Sequence, residues 1–113
     1  MRFSQSKEGD VLVIVLRGRM SVGEGDAEAG EEIRQAVAAG ERKILLDMKG
    51  VPVLDSSGVG ELMAAYTSAS RRGGVIKLLG LAPRVGDVLK STRLVGIFDI
   101  YDDRIEALES FSS

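Results

Sequence analysis

The sequence predicts an α/β domain with a mixed, mostly parallel sheet of four to five strands and about four helices packed against it. Short, continuously apolar segments alternate along the chain with segments whose apolar residues recur at helical spacing. The connections between them are short, so successive strands become parallel neighbours through right-handed crossovers. A hairpin at the start adds one antiparallel strand. We expect a single domain over residues 1–113.

The predicted strands begin with the hairpin, in which Arg2–Ser6 and Val11–Leu16 are joined through a loop that carries Gly9. The second strand, VLVIVL, is apolar at every position and should therefore be a central strand that is buried on both faces. Two more buried strands and one short extended segment are predicted further along, at Lys43–Met48, Val75–Leu79 and Gly96–Asp99.

The predicted helices follow from apolar periodicity and from end signals. The first runs from about Ala27 to Ala39, with Asp26 as its N-cap and Gly40 as its stop. The second helix is predicted from residues that fall at helical spacing, and it ends at Gly73-Gly74; these residues are Val59, Leu62, Met63, Tyr66 and Ser70.

The last two predicted helices lie in the final third of the chain. Pro83 begins a helix whose inner face is Val85, Val88 and Leu89. Either Asp102 or Asp103 caps a final helix that carries Ile105 and Leu108.

Composition excludes several classes of function. The 15 basic and 17 acidic residues give a net charge of −2, which provides no electrostatic case for binding nucleic acid or an anionic membrane. The absence of cysteine excludes disulfides and thiolate metal sites. No secretory signal and no apolar run of about 20 residues is present. We therefore expect a cytoplasmic protein that does not insert into membranes.

The absence of histidine removes the Ser-His-Asp triad, the usual imidazole base and the commonest metal ligand. An enzyme built on this sequence would have to rely on carboxylates, lysine or tyrosine. The surviving enzymatic alternative uses Ser56 or Ser57 with Lys49. We predict instead a protein that is not an enzyme, with no catalytic residue, metal or cofactor.

The segment VLDSSGVGEL, residues 53–62, enters the second helix from the carboxyl end of a strand, where α/β folds usually place their sites. Asp55, Ser56 and Ser57 are all good N-cap residues, so capping alone could explain them. A capping box would need a glutamate three positions after its serine, and Glu61 is not at that spacing. Glu61 therefore has a different role, or none.

Two glycines, Gly58 and Gly60, lie in the predicted first turn, where each costs up to ~1 kcal/mol relative to alanine. Bare backbone at a helix start is useful when a phosphoryl group or a partner surface must approach closely. A serine without a base is better suited to be a substrate, and phosphorylation would add a charge of about −1.5 to −2. These features are typical of a switch that is read by a partner.

The sequence resembles the anti-sigma factor antagonists of the STAS family. The resemblance rests on a strand ending in LDM, on DSSGVG, and on the downstream segment GGVIKLLGLAPRVGDVLKSTRLVGIFDIYDD. It covers nearly the whole chain and is strongest from Ile44 to Asp99.

The resemblance implies a phosphorylation switch. Ser56 would be phosphorylated by an anti-sigma factor that is also a serine kinase, with Ser57 as the less favoured acceptor. The unphosphorylated protein would bind the kinase and free a sigma factor, and a PP2C-type phosphatase would restore that form. The implied partner-binding residues are Asp55, Ser56, Ser57, Gly58, Val59 and Leu62.

One segment departs from the family pattern. After the second strand the family usually has glycine, one residue and an aliphatic-Asp pair, whereas this chain has GRMSVGEGDAEAG. Gly18 and Met20 stand at the start of that pattern, and its Asp is either displaced to Asp26 or absent. We expect this loop to lie near the Ser56 surface.

The alternative to an anti-sigma factor antagonist is an accessory subunit of an ABC-type transporter or a part of a larger signalling scaffold. The sequence leaves the oligomeric state open.

Overall fold

The strands form one five-stranded sheet in the order in which they occur in the chain. In the computed structural model, which describes residues 1–112, the first strand is antiparallel to the second and all other neighbours are parallel. The predicted fold class is confirmed. The strands are β1 (Arg2–Glu8), β2 (Val11–Arg17), β3 (Lys43–Gly50), β4 (Val75–Leu79) and β5 (Ile100–Tyr101).

Four α-helices connect or follow these strands within residues 1–112, namely α1 (Asp26–Ala38), α2 (Ser56–Arg71), α3 (Pro83–Ser91) and α4 (Arg104–Ser110). A single 3₁₀ turn, Leu94–Gly96, follows α3. None of the helices in the described part of the chain is long and apolar enough to cross a membrane.

The three inner strands, β2, β3 and β4, are buried on both faces, which explains why their sequences are largely apolar. On one face, Ile14, Leu46 and Leu78 belong to the larger core, to which α1, α2 and α3 contribute. The alternate strand residues form a smaller core with Ala107 of α4 and with Phe111, which follows α4; they include Val13, Leu45 and Leu79. As predicted, β2 is a central strand, lying between β1 and β3.

The hairpin between β1 and β2 has a two-residue loop. Glu8 pairs with Val11, which leaves Gly9 and Asp10 to turn the chain. Gly9 has a φ of 63° and Asp10 has no positive φ, so the positive φ lies at the first central position of the loop, where glycine is favoured. The glycine in the predicted loop is therefore explained by the turn.

The prediction that Asp26 caps α1 is wrong. Asp26 is the first residue of the helix, and Gly25 occupies the N-cap position with a φ of 81° and no side-chain cap. The loop before α1 turns tightly, and a Cβ at Gly25 would overlap the carbonyl oxygen of Arg19. Backbone conformation, rather than a capping hydrogen bond, therefore determines how this helix begins.

One prediction near the C-terminus is also wrong. Gly96–Asp99 is not extended, because the amides of Ile97 and Phe98 bond back to Leu94 at 2.9 and 3.1 Å, and the strand begins only at Ile100. The last helix carries Ile105 and Leu108 as predicted, and Ile105 is 66% exposed. The cap of α4 is Asp103, which accepts a hydrogen bond from the Glu106 amide.

A buried lysine attaches α4 to the sheet. The Lys77 ammonium of β4, on a side chain only 11% exposed, donates to the Ser110 hydroxyl at 2.9 Å and to the Ser110 carbonyl at 3.2 Å. It also lies 4.7 Å from the centre of the Phe111 ring. Lys77 is thus satisfied by the C-terminal end of the helix, where a cation is favoured.

We expect Lys77→Ala to loosen α4, because it removes hydrogen bonds to a charged group that are worth roughly 1.5–3 kcal/mol. Amide hydrogen exchange across residues 104–110 should accelerate, and the free energy of unfolding should fall by a similar amount. The matched control is Lys90→Ala, which removes an exposed lysine from α3. Equal exchange in the two variants would show that Lys77 does not hold the helix.

Candidate functional site

The carboxylate of Asp55 caps α2. Its Oδ1 accepts hydrogen bonds from the backbone amides of Ser57 at 3.0 Å and Gly58 at 3.1 Å. Asp55 itself has an extended backbone, as N-cap residues do. Of the three possible caps in the sequence, the aspartate takes this role, so Ser56 and Ser57 become the first two residues of the helix.

The same carboxylate also holds a second segment. Asp55 Oδ2 accepts a hydrogen bond from the Val22 amide at 2.9 Å. The amides of Val22, Gly58 and Ser57 together favour the ionised carboxylate and lower the pKa of Asp55 below its ordinary value of 3.8. One charged side chain therefore joins the start of α2 to the loop that follows β2.

Backbone contacts bring the loop between β2 and α1 alongside the segment that leads into α2. The Gly18 amide donates to the Gly50 carbonyl at 3.0 Å, and the Met20 amide donates to the Val53 carbonyl at 2.9 Å. The Asp55 amide donates in turn to the Met20 carbonyl at 3.4 Å. The expectation that the acidic, glycine-rich loop lies near Ser56 is thus confirmed by geometry.

The two glycines of VLDSSGVGEL have different surroundings. Gly58 is buried, and a Cβ there would overlap the Met20 carbonyl and the Leu54 side chain. Gly60 is exposed, and a Cβ there would meet nothing within 4 Å. The sequence predicted that something approaches the bare backbone closely. At Gly58 the group that does so is the protein's own loop, through the carbonyl of Met20. Only Gly60 leaves bare backbone on the surface.

The predicted partner-binding residues are only partly on the surface. Ser56 is exposed, and its side chain makes no hydrogen bond within residues 1–112. Ser57 and Val59 are partly buried, whereas Leu62 is fully buried in the larger core. In this conformation neither Gly58 nor Leu62 presents a side chain to a partner, and a place for them at or near a partner contact remains a prediction.

Glu61, which has no place in a capping box, connects α2 to α1. Its carboxylate Oε2 lies 3.0 Å from Arg34 Nη1, and this contact raises the pKa of the Arg34 guanidinium. The carboxylate lies directly over Gly30 of α1, where a Cβ would overlap it. The glycine in the middle of α1 therefore makes room for the ion pair.

Lys49, the base in the enzymatic alternative, is paired with Asp47. Its ammonium lies 3.5 Å from Asp47 Oδ2, and its amide donates to Asp47 Oδ1 at 3.1 Å. The hydroxyls of Ser56 and Ser57 accept or donate no hydrogen bond in the described part of the chain, so neither has an adjacent base. The geometry does not assemble a serine nucleophile.

Sequence reasoning missed Val22 and Met20 as parts of this site. Both lie more than 30 residues from Asp55 in the chain, and no periodicity or motif links them to it. The sequence indicated that the glycine-rich segment between positions 18 and 30 is a loop near Ser56, but not which of its residues contact Asp55. The missing information was the long-range pairing of Met20 with Leu54.

The chain thus combines a mixed sheet with a helix, α2, that is capped by an aspartate and begins with an exposed serine. A family model for the STAS domain matches residues 4–107. The chain therefore belongs to the STAS domain family. The chain is 32% identical to the anti-sigma F factor antagonist of Paenibacillus polymyxa over 65 residues, which are 58% of this chain and 56% of that protein. The match thus spans a little over half of that relative.

Similar solved structures agree on the fold. An anti-sigma factor antagonist from Mycobacterium paratuberculosis superimposes with a TM-score of 0.88 at 20% identity, covering 99% of this chain and 94% of that one. SpoIIAA in its unphosphorylated form superimposes with a TM-score of 0.81 at 22% sequence identity, covering 98% of this chain and 96% of that one. The phosphorylated form of SpoIIAA from Bacillus superimposes with a TM-score of 0.74 at 21% sequence identity, covering 97% of this chain and 99% of that one. At these identities the likeness establishes the fold alone.

The difference in packing between Gly58 and Gly60 predicts opposite effects of alanine substitution on stability. We expect Gly58→Ala to destabilise the protein by about 1–3 kcal/mol, because the added methyl group must displace the Met20 carbonyl. Gly60→Ala should stabilise it by up to ~1 kcal/mol, because the methyl enters open space and alanine favours helix. Urea unfolding of both variants provides the measurement. A loss of stability of the same size in both would contradict the packing described for Gly58.

The lowered pKa of Asp55 gives a prediction for pH. A carboxyl whose folded-state pKa is depressed stabilises the protein fully above about pH 5, and this contribution is lost as the pH falls below 3.8 through the folded-state value. Asp55→Asn can still cap α2 but loses the second acceptor for the Val22 amide. We expect its melting temperature to be about 2–8 °C below wild type at pH 7, and the gap to close in acid.

Amide exchange in residues 20–25 should accelerate in Asp55→Asn at pH 7. The control is Asp103→Asn, which alters the cap of α4 and should leave that loop unchanged. Unaltered exchange at Val22 in Asp55→Asn would show that the carboxylate does not secure the loop.

Proposed function

We propose that this chain is an anti-sigma factor antagonist controlled by phosphorylation of Ser56. In its unphosphorylated form it binds an anti-sigma factor serine kinase and so releases a sigma factor. The observation that carries the proposal is the exposed Ser56 hydroxyl, free of hydrogen bonds within residues 1–112, at the first position of a 16-residue helix. The name of the Paenibacillus relative and the phosphorylated form of SpoIIAA support it.

The electrostatics suit a switch that changes the surface and leaves the fold intact. A phosphate on Ser56 would sit at the N-terminus of α2, where the helix dipole favours negative charge and no acidic residue occupies the first turn. The amides of Ser57 and Gly58 are already bonded to Asp55. The phosphate would therefore face outward, beside one existing carboxylate, and turn a hydroxyl surface into a strongly negative one.

Accessibility favours Ser56 over Ser57 as the acceptor. Ser56 is exposed, whereas Ser57 is partly buried. A kinase must bring the hydroxyl in line with the transferred phosphoryl group, which requires an accessible oxygen. Ser57 remains the less favoured acceptor, and Asp55 and Val59 border the surface that the kinase would cover.

The proposed role is regulatory rather than enzymatic. The chain supplies a substrate hydroxyl and a binding surface, and the kinase supplies the nucleotide and the catalytic groups. A PP2C-type phosphatase would remove the phosphate and restore the binding form. Such a switch requires no cofactor on this chain and places it in the cytoplasm with its partners.

Substitutions at Ser56 test the proposal. Affinity capture from the native host with Ser56→Ala, followed by mass spectrometry, should recover a kinase that the purified protein then binds directly. We expect Ser56→Ala to bind that kinase within about two-fold of the unmodified protein and Ser56→Asp to bind at least ten-fold more weakly, because the added charge opposes docking. Incubation with ATP should phosphorylate wild type and Ser57→Ala but not Ser56→Ala.

The outcomes separate the alternatives. Capture of a transporter ATPase in place of a serine kinase would favour the accessory-subunit role. Equal binding of Ser56→Ala and Ser56→Asp would contradict the switch, and phosphorylation of Ser56→Ala would move the acceptor to Ser57.

A further inference from the structure

We infer that Val22 is an apolar anchor for the kinase, inserted into an apolar pocket beside the kinase's active site. The inference rests on the proposed function and adds to it a residue that determines affinity. Val22 is 72% exposed, more than any other large hydrophobic side chain in residues 1–112. It is bonded through its amide to Asp55, the residue before Ser56.

Val22 projects from a fixed turn. Ser21 and Glu24 exchange hydrogen bonds between their backbones at 3.0 and 2.9 Å, which places Val22 and Gly23 at the tip. An ion pair of 3.1 Å between Arg19 and Glu24 lies across the same turn. The bond from the Val22 amide to Asp55 adds a third restraint. A turn held in this way loses little backbone conformational entropy when a partner buries Val22.

Val22 lies within the surface that a kinase acting on Ser56 must cover. A stable protein interface covers about 800 Å² on each partner, which corresponds to a disc of roughly 16 Å radius. The amides of Val22 and Ser57 both bond to the carboxylate of Asp55, so Val22 falls well inside a disc centred on Ser56. Docking of Ser56 without contact to Val22 would require an unusually small interface.

The chemistry of the turn indicates what the partner presents. The exposed tip is apolar, while Arg19 and Glu24 on its flank already neutralise each other, with exposed fractions of 58% and 64%. An apolar residue surrounded by paired charges matches the usual organisation of an interface, with a hydrophobic centre and a polar rim. The complementary feature on the kinase is therefore an apolar pocket rather than a charged patch.

The chain offers a matched control for a test. Ile105 is 66% exposed but lies on α4, which covers the opposite face of the sheet from α2. We expect Val22→Ser to weaken binding of the unphosphorylated protein to the captured, purified kinase by about ten-fold or more, and to lower kcat/KM for phosphorylation of Ser56 to a similar extent. Val22→Ile should bind within about two-fold of wild type, and Ile105→Ser should change neither quantity.

The result separates this inference from the proposed function. Wild-type affinity in Val22→Ser, with Ser56→Asp still binding weakly, would overturn the anchor and leave the switch intact. Equal losses in Val22→Ser and Ile105→Ser would also overturn it. Melting temperatures close to wild type in all three variants are expected, because both side chains are exposed; a large fall in Val22→Ser would assign Val22 to folding and overturn the inference.

Discussion

The carboxylate of Asp55 is the interaction on which this end of the molecule depends. It satisfies two free amides at the start of α2 and one at the tip of the loop after β2. Because the aspartate caps α2, neither Ser56 nor Ser57 is needed as a cap. The hydroxyl of Ser56 is left on the surface, so modification of it would not remove a structural hydrogen bond.

The strands and most of the helices could be predicted because their signals are local. Val75–Leu79 has the predicted bounds, and the other long strands extend one or two residues beyond them, since continuous β-branched and aliphatic segments are characteristic of buried strands. The errors arose where tertiary geometry overrode a local preference. Asp26 is a good cap by composition, yet the tight turn before it requires the positive φ of Gly25.

The site was predictable in position but not in its internal contacts. The motif from Asp55 to Gly60 located it, and the missing histidine indicated that its serines were not triad nucleophiles. The neighbours of Gly58 and Glu61 could not be read from the sequence, because Met20 and Arg34 come from distant segments. A glycine tolerated for a partner and a glycine required by the protein's own packing look the same in a single sequence.

The edges of the sheet limit how the molecule can assemble with others. One edge is β1, whose residues other than Phe3 are exposed and mostly polar or charged, ending in Lys7 and Glu8. The other is β5, only two residues long. Charged and very short edge strands are poor templates for adding a strand from another chain. The sheet thus discourages open-ended stacking into fibres and leaves side chains on helices and turns as the surfaces through which another protein could be recognised.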